Sequence, residues 1–261
     1  MMRIILRAAL LFSLFFAAYF TLERFIVYPL APRSIAPSDA RLKVSKIGDM
    51  VVWSAPAKRG KPTVVYLHGN AGHIAKRTAR LQRLMDRGYG IVAPAYRGSN
   101  GSKGWPTEAG IASDINALYT SLTNGAFTGT PTVPILYGES IGAAVAINLA
   151  TTSAVRPRAI VLEAPFTSLK DVAAHMHPQL PLATGLMLSR WPSVRRATKL
   201  QAPLLILHGE KDDFIPPKMG RAILEAAGSK HKELYVVKGA GHINMWTGDA
   251  QRRLYRFIKQ F

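Results

Sequence analysis

The sequence predicts an α/β fold, a mostly parallel sheet covered by helices on both faces. Three observations lead there. Short apolar runs of strand length alternate with longer helical patterns from about residue 63 to the C-terminus. The runs are apolar along their whole length, as in strands buried on both faces. Loops rich in Gly, His and Asp follow several of them directly, and strand ends are where parallel sheets place their chemistry.

Taken in order, two short strands after Leu42 flank the turn Ile47-Gly48-Asp49 and form an antiparallel edge. Strands then fall near 63–68, 91–96, 133–137, 159–164, 203–208 and 233–237, with helices near 74–87, 108–123, 141–152, 217–227 and 247–259. The segment from Phe166 to Ala202 is longer than a usual connection and predicts a small cap. Its Met176, Leu180, Leu182, Leu186 and Met187 suit an acyl chain, or serve only to pack the cap onto the domain.

The N-terminus is a separate problem. Arg3 and Arg7 precede an uncharged stretch from Ala8 to Leu22, which Glu23 and Arg24 end. A helix over that stretch covers about 22 Å, short of the roughly 30 Å hydrocarbon core. A cleaved signal peptide has this length and positive start, but Ala17-Ala18 followed by Tyr19 is a poor cleavage site. An anchor gains length from Ile4, with Arg7 snorkelling and Phe25, Ile26 and Tyr28 in the far interface. The leading arginines put the N-terminus in the cytoplasm and the domain on the non-cytoplasmic side, although Arg24, Arg33, Arg41 and Lys43 make the far flank basic too. Residues 1–28 thus read as anchor or signal, 29–41 as a proline-rich spacer, and 42–261 as one catalytic domain with its cap at about 166–202.

Composition narrows the function. With no cysteine, structural disulfides, thiolate metal sites, a cysteine nucleophile and a lipoprotein anchor are all excluded. The net charge of +19 draws the protein to anionic surfaces. Lys76, Arg77, Arg80, Arg83 and Arg87 crowd one helix; they read either as solvated background or as attraction to anionic lipid. No zinc-finger, glycine-clamp or stacking-aromatic pattern supports nucleic acid.

The richest stretch is Gly138-Glu139-Ser140-Ile141-Gly142, between an apolar strand and the helical run from Ala143 to Ala150. It has the form of a nucleophile elbow, a turn so tight that the residues flanking the serine must lack side chains. The N–H of Ile141, at the helix start, points where negative charge would develop on an attacked carbonyl. A serine hydroxyl needs a histidine to take its proton, and the histidine needs a carboxylate. Both occur later in the chain. Asp212 and Asp213 follow the strand ending His208-Gly209, and His242 closes Gly239-Ala240-Gly241 after the last strand. Upstream, His68-Gly69-Asn70-Ala71-Gly72 follows a strand where a second oxyanion donor arises, assigned here to the N–H of Asn70. Glu163 and Asp114 rank below as alternative acids, and Glu139 reads as packing at the elbow. His68 and His208 read as loop braces. His175-x-His177 lacks a third ligand for a metal.

The order of His68-Gly69-Asn70-Ala71-Gly72, Tyr96-Arg97-Gly98, Pro106-Thr107-Glu108 and Tyr137-Gly138-Glu139-Ser140-Ile141-Gly142 resembles the α/β-hydrolase superfamily over about residues 42–261. It looks like the small membrane-anchored subgroup that includes protein depalmitoylases and lipid esterases. The resemblance implies that the acid sits three residues after His208-Gly209, which selects Asp212. It further implies an acyl ester or thioester as substrate and no metal or organic cofactor. Arg97-Gly98-Ser99-Asn100-Gly101-Ser102 is one residue longer than the subgroup's pattern, so a different loop shape is expected there. A non-catalytic scaffold and a serine peptidase remain as alternatives on the same fold.

Overall fold

The computed structural model describes residues 1–28, 31–70 and 73–261. A 26-residue helix α1, Met2–Val27, precedes the domain. The sheet contains β1 Lys43–Ile47, β2 Met50–Ala55, β3 Thr63–Leu67, β4 Gly90–Pro94, β5 Ile135–Glu139, β6 Ile160–Glu163, β7 Leu204–Gly209 and β8 Lys232–Val237. Between strands lie α2 Thr78–Asp86, α3 Glu108–Thr123, α4 Ile141–Thr152 and α8 Pro217–Ala226. The cap holds α5 Leu169–Met176, α6 Pro181–Leu186 and α7 Ser193–Ala197, and α9 Gly248–Ile258 closes the chain.

The strand order is β1-β2-β4-β3-β5-β6-β7-β8. β1 and β2 form the antiparallel edge, and every pairing from β4 to β8 is parallel. From β3 the chain moves outward to β4, whereas from β5 it moves the other way to β6. The crevice between the ends of β3 and β5 is therefore a topological switch point, the place where open α/β sheets bind ligands. A separate apolar cluster packs each face of the sheet. Helix α4 is buried from Ile141 to Leu149, which explains why its sequence is apolar on all sides.

The helix expected at 74–87 begins instead as a 3₁₀ turn, Ile74–Arg77, and becomes α-helical only at Thr78. Arg77 leaves helical geometry at φ −103°, ψ 1°, and its side chain turns inward toward the sheet. The crowded basic face is correspondingly corrected. Arg77 and Arg80 are only 12% and 13% exposed and lie among carboxylates rather than facing anionic lipid. Glu139 accepts from Tyr66 Oη at 2.8 Å and from Arg77 Nε at 2.9 Å, with a second bond from Arg77 Nη2. Glu163 accepts from Arg80 at 2.7 Å and from Tyr137 Oη at 2.6 Å. The Arg80 guanidinium also lies 4.8 Å from the ring centre of Trp246. Glu139 is thus more than packing at the elbow.

At the other end, α1 runs on past the uncharged stretch through Glu23 and Arg24. At 1.5 Å per residue it reaches about 39 Å, long enough to cross a membrane. Its charges are accommodated because the helix docks on the cap. The Glu23 carboxylate accepts from the N–H groups of Leu188 and Ser189 at 2.9 and 2.8 Å, and Tyr28 Oη accepts from Trp191 Nε1 at 2.9 Å. Tyr28 is buried in protein rather than standing in a membrane interface. Pro29, part of the proline-rich connection, lies outside the described residues. The connection beyond it is held against the domain, where the sequence suggested a spacer standing clear. Asn100 donates its N–H to Ala31 O at 2.8 Å, Gly101 to Pro32 O at 3.1 Å, and Ile35 donates to Asn100 Oδ1 at 2.8 Å. Asn100, fully buried at φ 45°, belongs to the lengthened Arg97–Ser102 loop, so the loop's shape serves to bind the connection.

Two buried groups make the fold acid-sensitive. Burial lowers the pKa of His68 from 6.5 to about 4, so the folded protein keeps it neutral. Burial would raise that of Glu139, but the Arg77 hydrogen bonds and the Arg80 and Arg77 charges outweigh it and hold it at about 2, from 4.5. Each group binds its proton more readily in the unfolded chain, so each stabilises the fold fully above its unfolded pKa and progressively less below it. Urea unfolding is expected to show stability falling from about pH 6.5 toward 4 through His68 and from about pH 4.5 toward 2 through Glu139. Each contribution is on the order of 3 kcal/mol at full extent. His68→Gln should flatten the upper part of the curve; an unchanged slope there would remove His68 as its cause.

Candidate active site

Ser140 stands at the junction of β5 and α4 with φ 54°, ψ −117°, a backbone region that costs a non-glycine residue about 1–3 kcal/mol. Its neighbours impose the strain. A Cβ on Gly138 would lie 2.3 Å from Gly142 O, and one on Gly142 would lie 2.0 Å from Leu67 O. The turn cannot relax toward either side. Ser140 N–H donates to Glu163 O at 2.8 Å, which ties the elbow to the end of β6.

Asp212 is buried three residues beyond β7, held by the N–H of Ile215 donating to Oδ1 at 2.8 Å. His242 Nδ1 lies 2.8 Å from Asp212 Oδ2. A carboxylate only accepts, so Nδ1 carries the proton and Nε2 keeps its lone pair. The loop bearing His242 is fixed on the same strand end: Lys211 N–H donates to Ala240 O at 2.8 Å, and a Cβ on Gly209 would lie 2.6 Å from both Ala240 O and Gly241 O. The backbone carbonyl of Asp213 accepts from His175 Nε2 at 3.0 Å. His208 donates from Nε2 to Ile215 O at 2.8 Å, and burial lowers its pKa, so it braces the acid loop as a neutral ring. His68 braces its own loop, Nδ1 lying 2.8 Å from Gly69 O, while Tyr96 Oη donates to His68 O at 3.1 Å.

Ser140, Asn70 and Ile141 line one cavity of about 140 Å³. The Asp212–His242 pair joins it through Phe214 and Ile215: both line the cavity, the Phe214 ring centre is 5.1 Å from that of His242, and Ile215 holds Asp212. Asn70 and Ile141, whose N–H groups are the expected oxyanion donors, thus border the same space as the serine. Ala71 and Gly72 of the same loop lie outside the described residues. Gly69 passes so near the elbow that a Cβ there would sit 3.0 Å from Glu139 Oε1. The remaining walls are apolar, with Phe166, Leu169, Val172, Met176 and Met187 contributed by the cap side.

The other carboxylates are engaged structurally, Glu163 as described and Asp114 with Arg97 at 2.6 Å. His177 reaches the cavity whereas His175 binds Asp213; among the described residues, no group of three or more His, Asp or Glu side chains is placed to hold a metal ion. Sequence reasoning missed Ile26 and Val27, which reach the cavity from the last turn of α1. It also missed Phe214, whose place beside the acid was the only available signal. A larger cavity of about 810 Å³ lies by β1 and the 126–132 loop, but neither an acid nor a histidine lines it.

The comparisons bear on the family and the fold. A protein of Mycobacterium tuberculosis, itself uncharacterized, is 37% identical over 192 residues, covering 73% of this chain and 66% of that protein. The lysophosphatidylserine lipase ABHD12 of Danio rerio is 32% identical over 184 residues, 64% of this chain and 47% of the lipase. The chain therefore spans less than two thirds of these relatives. Among solved structures, the Pyrococcus furiosus esterase Pf2001 superimposes with a TM-score of 0.69 at 18% identity, covering 88% of this chain and 96% of the esterase. Residues 58–195 and 193–246 match Hydrolase_4, described as serine aminopeptidase, S33. With the strand order and the strained serine turn, these matches place the chain in the Hydrolase_4 family, with an α/β-hydrolase fold.

Proposed function

We propose that the protein is a membrane-anchored serine hydrolase that cleaves an acyl ester or thioester. The observation that carries this reading is a strained serine lining an apolar cavity whose Phe214 and Ile215 also contact a histidine–aspartate hydrogen-bonded pair. Ser140 Oγ attacks the acyl carbonyl while His242 Nε2 takes its proton. The N–H groups of Asn70 and Ile141 stabilise the oxyanion. The leaving alcohol or thiol departs with the proton from His242, and the acyl group stays on Ser140. Water, deprotonated by the same imidazole, then releases the carboxylic acid and restores the hydroxyl. Asp212 holds the His242 tautomer and its transient charge.

The family description raises a peptidase, and the cavity weighs against an aminopeptidase. Such an enzyme must hold a substrate ammonium, yet no carboxylate lines the cavity among the described residues. The lipase named among the relatives acts on a lysophospholipid by its name, and an apolar wall rich in Ile, Met and Phe suits a single acyl chain. In this reading residues 1–28 anchor the chain, 29–41 connect, and 42–261 catalyse, with the cap over 166–202. The arginines at the start of α1 favour a domain on the non-cytoplasmic side, and the excess positive charge favours an anionic membrane surface. No metal or organic cofactor enters the scheme.

Labelling by a fluorophosphonate probe is expected to vanish in Ser140→Ala while the protein stays folded; persistent labelling would assign the nucleophile to another serine. With p-nitrophenyl esters, Asp212→Asn should lower kcat/KM on the order of 10³–10⁴-fold, and Asp213→Asn by no more than about twofold. The reverse order would move the acid by one residue. Cleavage of amides but not esters would favour the peptidase, and a folded protein inert to both would favour a scaffold.

A further inference from the structure

The end of α1 is fixed to the cap by two side chains, Glu23 and Tyr28. Glu23 and Tyr28 are buried, bonded to Leu188, Ser189 and Trp191. Between these two latches, Ile26 and Val27 enter the wall of the cavity that holds Ser140. Ile26 has two faces: it lines the cavity and is still 65% exposed. The surface around it is apolar as well, with Leu182 82% and Leu188 58% exposed on the cap, and Leu22 and Phe25 exposed on α1. Trp105 marks the water boundary of this patch, with Arg24 5.1 Å from its ring centre and Phe25 packed edge-on at 6.0 Å. Trp and Arg at the end of an apolar helix are the side chains that settle at a membrane interface.

Size adds a constraint. A cavity of about 140 Å³ is smaller than the roughly 300–1,000 Å³ that encloses a drug-sized ligand. A long acyl chain with its carbonyl at Ser140 must therefore leave the cavity, and Ile26 is the most exposed large apolar residue of its lining, ahead of Phe214 at 46% and Met176 at 41%.

We infer that the last turn of α1 is part of the binding site, and that a membrane-resident acyl lipid reaches Ser140 laterally from the leaflet that α1 enters, its chain running along Ile26. The inference rests on the esterase reading for its substrate class, but the helix wall can be tested apart from turnover. The occupant of the exposed cap face is the lipid leaflet, because α1 emerges from the membrane beside that face.

The chain has no cysteine, so a single introduced thiol reports on one place. The full chain is placed in phosphatidylcholine–phosphatidylglycerol nanodiscs with a bimane label on Ile26→Cys, or on Leu11→Cys at mid-helix for comparison. Titration with 1-O-dodecylglycerol, a non-hydrolysable ether, is expected to give a saturable emission shift at position 26 and none at position 11. A label on Leu182→Cys should be quenched by spin-labelled lipid rather than by aqueous iodide. Ile26→Trp should lower kcat/KM for the dodecanoate ester at least tenfold more than for the acetate ester, with its thermal midpoint measured alongside to exclude unfolding. Absence of the shift at position 26, or an unaltered chain-length profile in folded Ile26→Trp, overturns the helix wall. Quenching of position 182 by iodide alone overturns lateral access. If the ether binds at position 26 but no ester is turned over, the esterase reading falls and the helix wall stands.

Discussion

The start of α4 lies so close to the end of β3 that position 142 has no space for even a methyl group beside the Leu67 carbonyl. This contact closes the turn after β5 and forces the intervening serine to positive φ, with its N–H committed to β6. Three parallel strands are thereby locked at one crevice, the switch point where β3 and β5 send the chain in opposite directions. Asn70 at the end of β3 and Ile141 at the start of α4 can flank the serine only because the two elements touch there. Strain in the elbow persists because the surrounding packing leaves no lower-energy alternative.

Beneath that turn sits a cost that packing alone does not explain. Burying two carboxylates with two guanidiniums requires desolvation that their attraction only partly offsets, and an apolar replacement of similar shape is often as stable. Here the ions tie together elements that must not drift. Glu139 precedes the serine, Glu163 lies on the strand whose carbonyl holds the serine N–H, and Arg80 spans both while stacking on Trp246, four residues beyond His242. The tyrosines of β3 and β5 complete the carboxylates' hydrogen bonding. A purely apolar filling would pack the same space without fixing direction.

Much of the fold was legible because buried parallel strands write continuous apolar runs, and the elbow is bounded by glycines that the turn demands. The order serine, acid, histidine after later strands pointed to Ser140, to Asp212 or Asp213, and to His242; the family resemblance chose Asp212, and the structure brings His242 to 2.8 Å from it. What escaped was contact between distant positions. Arg77 and Arg80 look like solvated charges in a basic helix, and their partners lie 62 and 83 residues away. Glu23 looks like the end of an apolar stretch, but its amide partners lie 165 and 166 residues on. Hydropathy treats each residue by its own side chain, so a charge turned inward to meet its complement reads the same as one facing water. The extra residue near Asn100 was visible as an insertion, but its role in binding the connection was not, because two of the three bonds use only backbone groups common to any sequence.

The latch at Glu23 bears on how such proteins are usually made soluble. Trimming the hydrophobic N-terminus would strip the acceptors from the Leu188 and Ser189 amides and from the Trp191 indole, leaving buried donors without partners in the segment that roofs the serine. Trp191, at φ 39° and fully enclosed, would lose the phenol that helps hold that unusual backbone. The shortened protein would thus carry a loosened cap, and the cavity at Ser140 would lose Ile26 and Val27 from its wall.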